Sequence, residues 1–143
     1  MEASPYSSPA VTILIVDDDR ITSEVTALML SKKFPYNTVY IADGGRNGLE
    51  LFKKHTPEIV ITDIQMPEMD GMEMAAAIKA LKADTIFIVL TAYGSTNYHD
   101  KLGRIGCHDF LSKPIEFDKL YAAIEKSIAE ISHNPNPGSE QER

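Results

Sequence analysis

The sequence has one cysteine, no apolar run long enough to span a bilayer, and too few basic residues to balance its acids. The single thiol, Cys107, cannot close an internal disulfide, which points to a reducing compartment. A spanning helix needs about 18 consecutive apolar residues, and no run approaches that length. Met1-Glu2-Ala3-Ser4-Pro5 contains no basic stretch followed by an apolar one, so no secretory signal is visible. Acids outnumber bases 21 to 14, and the net charge of −7 disfavours nucleic acid or an anionic membrane as partner. His55, His99, His108 and His133 are scattered without ligand spacing and read as solvated. No glycine-rich phosphate loop is present, which argues against nucleotide binding. The expectation is one cytoplasmic domain of 143 residues, large enough to bury a full core without staples.

What is present alternates between strand and helix. Residues 1–10, rich in Ser, Pro and Ala, read as a disordered arm, and 132–143 as a flexible tail or the start of a linker. Between them, 11–131 form the expected domain. Val11 to Val16 is an apolar strand. Ile21, Val25, Leu28, Met29 and Phe34 recur at helical spacing until Pro35. A short strand follows at Thr38–Ile41, then a weaker helix over Gly45–Lys54 with Leu49 and Phe52 inward. Ile59-Val60-Ile61-Thr62 is a third strand. Gly71–Lys82 is a helix with Met74, Ala75, Ile78 and Leu81 on one face. Thr85–Leu90, the most apolar strand, is placed centrally. Tyr98, Leu102 and Ile105 mark a short fourth helix, Asp109–Ser112 a last strand. Phe117, Leu120, Tyr121, Ile124, Ile128 and Ile131 give a final amphipathic helix. Five βα units predict an α/β fold, a doubly wound five-stranded parallel sheet flanked by helices.

Two of these strands end in acid. Val11–Val16 runs into Asp17-Asp18-Asp19, and Ile59–Thr62 into Asp63 and a Pro/Gly loop. Open parallel sheets bind ligands beyond the carboxyl ends of their strands. The acids therefore form a cup fit for a hard divalent cation, Mg²⁺ or alternatively Mn²⁺. Thr91 and Lys113-Pro114 reach the same edge. A carboxylate there can attack phosphorus, while a hydroxyl and an ammonium bond the remaining phosphoryl oxygens. Met66, Met69, Met72 and Met74 read as packing rather than as thioether ligands. Asp70-Gly71 reads as a turn that starts the third helix. Glu116, Lys119, Glu125 and Lys126 read as the solvated face of the last helix.

Val16-Asp17-Asp18, Asp63-x-x-Met66-Pro67-x-Met69-Asp70-Gly71, Leu90-Thr91-Ala92 and Lys113-Pro114, in that order, resemble the receiver domain of two-component response regulators, with its flavodoxin-like fold. The resemblance covers about residues 11–131. It implies that Asp63 accepts a phosphoryl group from a histidine kinase or a histidine phosphotransfer protein. It makes Asp17, Asp18, Asp63 and the Gln65 backbone carbonyl the metal ligands, Thr91 and Phe110 the switch pair, and Lys113 the phosphate-binding lysine. Asp19 extends the acidic pair, which leaves open which acids touch the metal. The implied protein is not an enzyme but a switch that assists its own phosphorylation and dephosphorylation. Its changed face would be the fourth helix, fifth strand and fifth helix, read by a downstream output protein or domain.

Two other functions compete. Asp17-x-Asp19 after a strand is similar to the opening of haloacid-dehalogenase-type phosphatases, with Asp17 as nucleophile and Asp19 as acid/base. That reading leaves Asp63 and its loop unexplained. A receiver-like interaction module that never takes phosphate is the other, but such modules typically lack the acceptor, the acids or the lysine.

Overall fold

The computed structural model describes residues 10–66, 68–91 and 108–133. The arm before residue 10, the tail from 134, Pro67, Cys107 and the helix expected around Tyr98, Leu102 and Ile105 lie outside the described residues. Five strands form one parallel sheet: β1 Thr12–Val16, β2 Thr38–Ala42, β3 Ile59–Asp63, β4 Ile86–Thr91 and β5 Asp109–Ser112. Their spatial order is β2-β1-β3-β4-β5, so the winding reverses between β1 and β3. The middle strand is thus β3, not the more apolar β4. β4 is nevertheless interior and buried along its whole length, since β3 and β5 flank it.

Four described helices cover the sheet: α1 Arg20–Lys33, α2 Gly45–His55, α3 Gly71–Leu81 and α4 Phe117–His133. Alternate strand residues feed two cores. Ile13, Ile15, Ile59, Ile61, Ile88 and Leu90 pack with Leu30 of α1 and Leu120 and Ile124 of α4. Leu14, Val16, Val60, Phe87 and Val89 pack with Phe52 of α2 and Met74 and Ile78 of α3. Met66 joins the second core and Met69 and Met72 pack on it, as packing residues should. Glu116, Lys119, Glu125 and Lys126 are exposed, the solvated face expected of the last helix.

α1 departs from the apolar-inward rule. Its buried residues are Ser23, Thr26 and Leu30, while Ile21, Val25 and Leu28 are 75%, 46% and 56% exposed. The buried hydroxyls cost little because the helix itself satisfies them. Ser23 Oγ donates to the Arg20 carbonyl at 3.0 Å and Thr26 Oγ1 to the Thr22 carbonyl at 2.7 Å. Small side chains on that face let the helix lie close to the sheet. Leu81, placed inward by its spacing, also ends exposed, at the last residue of α3. Among the histidines, His55 is half-buried rather than freely solvated: it stacks on Tyr40 with ring centroids 3.8 Å apart. His108 is exposed but accepts a 3.4 Å hydrogen bond at Nδ1 from the Phe87 N–H.

The two faces of α1 predict opposite outcomes. Leu30→Ala should destabilise by about 2–5 kcal/mol, the range for a buried leucine that leaves a cavity. Leu28→Ser, two residues earlier, should stay within about 0.5 kcal/mol of wild type. Urea unfolding followed by circular dichroism checks both, and an equal loss from the two would refute the inverted helix.

Candidate functional site

The register brings the acids together before any side chain is considered. Val16 pairs with Thr62, so Asp17 and Asp63 leave neighbouring strands side by side. Carboxylate oxygens of Asp17, Asp18 and Asp63 can all lie within 4.8 Å of one another. Asp17 is 2% exposed and Asp63 13%, whereas Asp18 faces solvent. Three hard oxygen donors at that spacing suit a small divalent cation and match no soft-metal site. The residues present fit Mg²⁺ or Mn²⁺.

Asp19 stands apart from this group. Its side chain N-caps α1, accepting from the Thr22 N–H at 3.2 Å. Backbone hydrogen bonding at Thr22 holds its carboxyl below the usual range. Of the acidic triplet, Asp17 and Asp18 are the two that cluster with Asp63. The sequence signal for the cap was an Asp directly before a helical run, which is a common N-cap pattern. The capping role leaves Asp19 poorly placed as an acid/base partner to Asp17.

Lys113 closes the cup from the far side of the sheet. Its Nζ donates to Asp63 Oδ2 at 2.9 Å and to Asp17 Oδ2 at 3.3 Å, across 50 and 96 residues of chain. β5 carries it there: the Lys113 N–H donates to the Thr91 carbonyl at 2.8 Å, one step past the Thr91–Ser112 pair. Burial would lower the ammonium's pKa, but the Asp63 hydrogen bond and the charges of Asp63 and Asp17 raise it overall. The Asp17 pKa is raised too, which for an acid disfavours the charged form. Burial raises its pKa, only partly offset by the hydrogen bond from the Asp19 N–H at 2.8 Å and by Lys113.

The remaining expected residues fall around this centre. Thr91 ends β4 and is 6% exposed. Phe110 pairs with Val89 and packs half-buried against the second core. Gln65 is exposed in the loop after β3, between the buried Ile64 and Met66. Asp70 and Glu73 make a reciprocal capping box at the start of α3, at 2.9 and 3.1 Å. The spacing Asp70-x-x-Glu73 carried that signal in the sequence, and it was legible as a turn only.

Comparisons with known proteins agree on the kind of domain. A family model described as response regulator receiver domain matches residues 13–125. The transcriptional regulatory protein ZraR of Escherichia coli K12 is 38% identical over 120 residues, covering 83% of this chain and 26% of that protein. The chain thus spans about a quarter of the length of that relative. The N-terminal domain of an uncharacterized protein from Wolinella succinogenes is 40% identical with a TM-score of 0.77, covering 82% of this chain and 94% of that one. A response regulator receiver domain from Clostridium thermocellum is 27% identical with a TM-score of 0.78, covering 84% and 95%.

The charge arrangement yields a metal-free test. Two carboxylates about 5 Å apart repel by about 3 kcal/mol at an effective dielectric near 20, before salt reduces it. Lys113→Ala removes their counter-charge and should cost about 1–3 kcal/mol in EDTA, less than in a fully buried pair because Lys113 reaches solvent. Asp18→Asn removes one repelling charge and should raise the melting temperature in EDTA while weakening Mg²⁺ binding. Thermal melts of both variants with EDTA and with Mg²⁺ decide. An Asp18→Asn protein that melts below wild type in EDTA would contradict the repelling cluster.

Proposed function

The chain belongs to the response regulator receiver domain family, and from that premise we propose that it is a phosphorylation switch with Asp63 as its acceptor. The observation that supports this most is the Asp63 carboxylate itself. It sits at the end of β3, partly accessible, against the Lys113 ammonium and beside Asp17 and Asp18. We take residues 11–131 as the switching unit.

In this reading a phosphohistidine on a histidine kinase or a histidine phosphotransfer protein presents its phosphorus in line with an Asp63 oxygen. Asp63 forms the new O–P bond as the N–P bond breaks, and the imidazole keeps that electron pair. Lys113, already a hydrogen-bond donor to Asp63, bonds an equatorial phosphoryl oxygen as charge builds there. Asp17, Asp18, Asp63 and the Gln65 carbonyl would hold Mg²⁺ or Mn²⁺, which supplies positive charge to the other phosphoryl oxygens. The phosphate then offers Thr91 a hydrogen-bond acceptor, and Phe110 turns into the space that Thr91 leaves. Phe110 lies in β5, and just past that strand the Lys113 N–H donates to the Thr91 carbonyl, so the phosphate-binding lysine, the switch hydroxyl and the aromatic share one stretch of paired backbone. A tenfold shift in such a two-state element needs only about 1.4 kcal/mol. The domain works in the cytoplasm, signals to a downstream output protein or domain, and is not itself an enzyme beyond assisting its own phosphorylation and dephosphorylation.

The donor's landing place is the exposed side of α1. Ile21 and Val25 flank a groove of about 360 Å³ that also touches Lys113, Pro114, Ile115 and Phe117. An apolar stripe on a helix that borders the acceptor pocket suits a helical partner carrying its histidine to Asp63.

Acetyl phosphate with Mg²⁺ should add one phosphoryl group to the wild type and none to Asp63→Ala, read by intact mass. Thr91→Ala should still take the label, but its β5 and α4 amides should shift little with beryllium fluoride. Label persisting in Asp63→Ala at the wild-type rate sinks the acceptor assignment. A wild-type β5 response in Thr91→Ala sinks the switch.

Val25→Asp should leave labelling by acetyl phosphate unchanged, because Val25 does not touch the acids. Transfer from a phosphorylated histidine phosphotransfer protein should slow by about tenfold or more, as for loss of a buried apolar interface contact. Equal rates from both donors in Val25→Asp would move the docking face elsewhere.

A further inference from the structure

The loop from Ile64 to Asp70 is gripped at both ends by glycines on two different helices. Gly71, the first residue of α3, donates its N–H to the Ile64 carbonyl at 2.8 Å. A Cβ on Gly71 would collide with the Asp63 carbonyl oxygen and lie 3.0 Å from Ile64 Cα. That carbonyl cannot move aside freely, because it already accepts the Thr62 hydroxyl at 2.7 Å. Nor can α3 easily back away, with its first turn fixed by the Asp70–Glu73 capping box. At the other end Gly45, the first residue of α2, meets Met69. A Cβ there would collide with the Met69 carbonyl oxygen and lie 3.0 Å from its carbonyl carbon. Ile64 and Met66, buried between the two grips, seal the loop onto the second core.

We propose that Gly71 and Gly45 are positioning residues for the metal site, letting α3 and α2 close on this loop so that the Asp63 carboxylate and the Gln65 carbonyl face a common point. The inference rests on the acceptor reading above and adds residues that touch neither metal nor phosphate. Gly71 acts on the backbone of Asp63 itself. Gly45 acts on the far end of the loop and limits where Gln65 can swing. Neither glycine lies in the left-handed region, so close approach is what excludes a side chain. The chain carries its own control: a Cβ on Gly44, adjacent to Gly45, would have nothing within 4 Å, and the backbone there is extended, with a φ of 178°.

Mg²⁺ titration calorimetry on the full chain, with melts in EDTA, tests this. Gly44→Ala should bind Mg²⁺ as wild type does. Gly45→Ala and Gly71→Ala should bind about tenfold more weakly, the lower end of what supporting residues around metal ligands are worth. In the metal-free folded variants the amide resonances of Ile64 and Gln65 should shift while those of α4 stay in place. If Gly71→Ala does not fold, Gly45→Ala decides alone. Folded Gly45→Ala with an affinity within about twofold of wild type overturns the proposal. So does an equal loss in Gly44→Ala, or a Gly45→Ala protein that fails to fold, since each makes the contact general packing. A wild type that binds no Mg²⁺ instead removes the underlying metal-site reading and the proposal with it, an outcome visible before any variant is made.

Discussion

Three carboxylates held within 4.8 Å of one another are the constraint around which this domain is organised. Such a cluster is unfavourable to fold, and the chain offsets it in two ways. The first is position. The cluster sits at the point where the strand order reverses, where β1 and β3 end together and the flanking helices diverge. One edge of the cup therefore stays open to water, and Asp18 takes it. The second is Lys113, delivered from β5 to bond both Asp17 and Asp63. Neither device removes the cost of burying Asp17, whose pKa is raised mainly by desolvation. A bound divalent ion would offset that cost by binding the folded state alone. An empty site would then be less stable than a filled one, a common trade of stability for activity.

Much of this was legible in the sequence, and for a physical reason. A strand buried on both faces must be continuously apolar, so an acid at its end marks the edge of the sheet without ambiguity. That is why Asp17 and Asp63 could be placed at one edge from spacing alone, and why the four-helix, five-strand alternation was readable outside the segment around Tyr98. Lys113 was readable only through its company, because a Lys-Pro pair in a loop carries no signal of its own.

What was not legible depended on how neighbouring elements approach one another. Apolar residues at helical spacing mark a face of α1, but they do not say that this face is covered. Serine and threonine can replace them on the buried side when their hydroxyls bond back into the helix. Leu81 sat at the correct spacing but at the last residue of its helix, where it is exposed. His55, at the end of α2, had no sequence neighbour to suggest a ring partner; Tyr40 reaches it from β2. Asp19 looked like a member of the acidic set because adjacency in sequence does not reveal which carboxylate turns back to cap a helix.

In the proposed switch, the outward apolar face of α1 and the loop after β3 would serve opposite ends of the same reaction. A helix that places hydroxyls on its inner face can keep Ile21, Val25 and Leu28 outside, the first two along a groove that Lys113 also lines. The backbone at Asp63, Ile64 and Met69 has less freedom, because Gly71 and Gly45 approach it too closely to admit a side chain. On this reading recognition would be left to a surface that tolerates substitution, and geometry to backbone contacts that do not. On the proposed docking, sequence change at the exposed Ile21 and Val25 would retune the donor while Asp17 stays buried and Asp63 largely so. Separating the two tasks in this way lets one chemical site serve different partners.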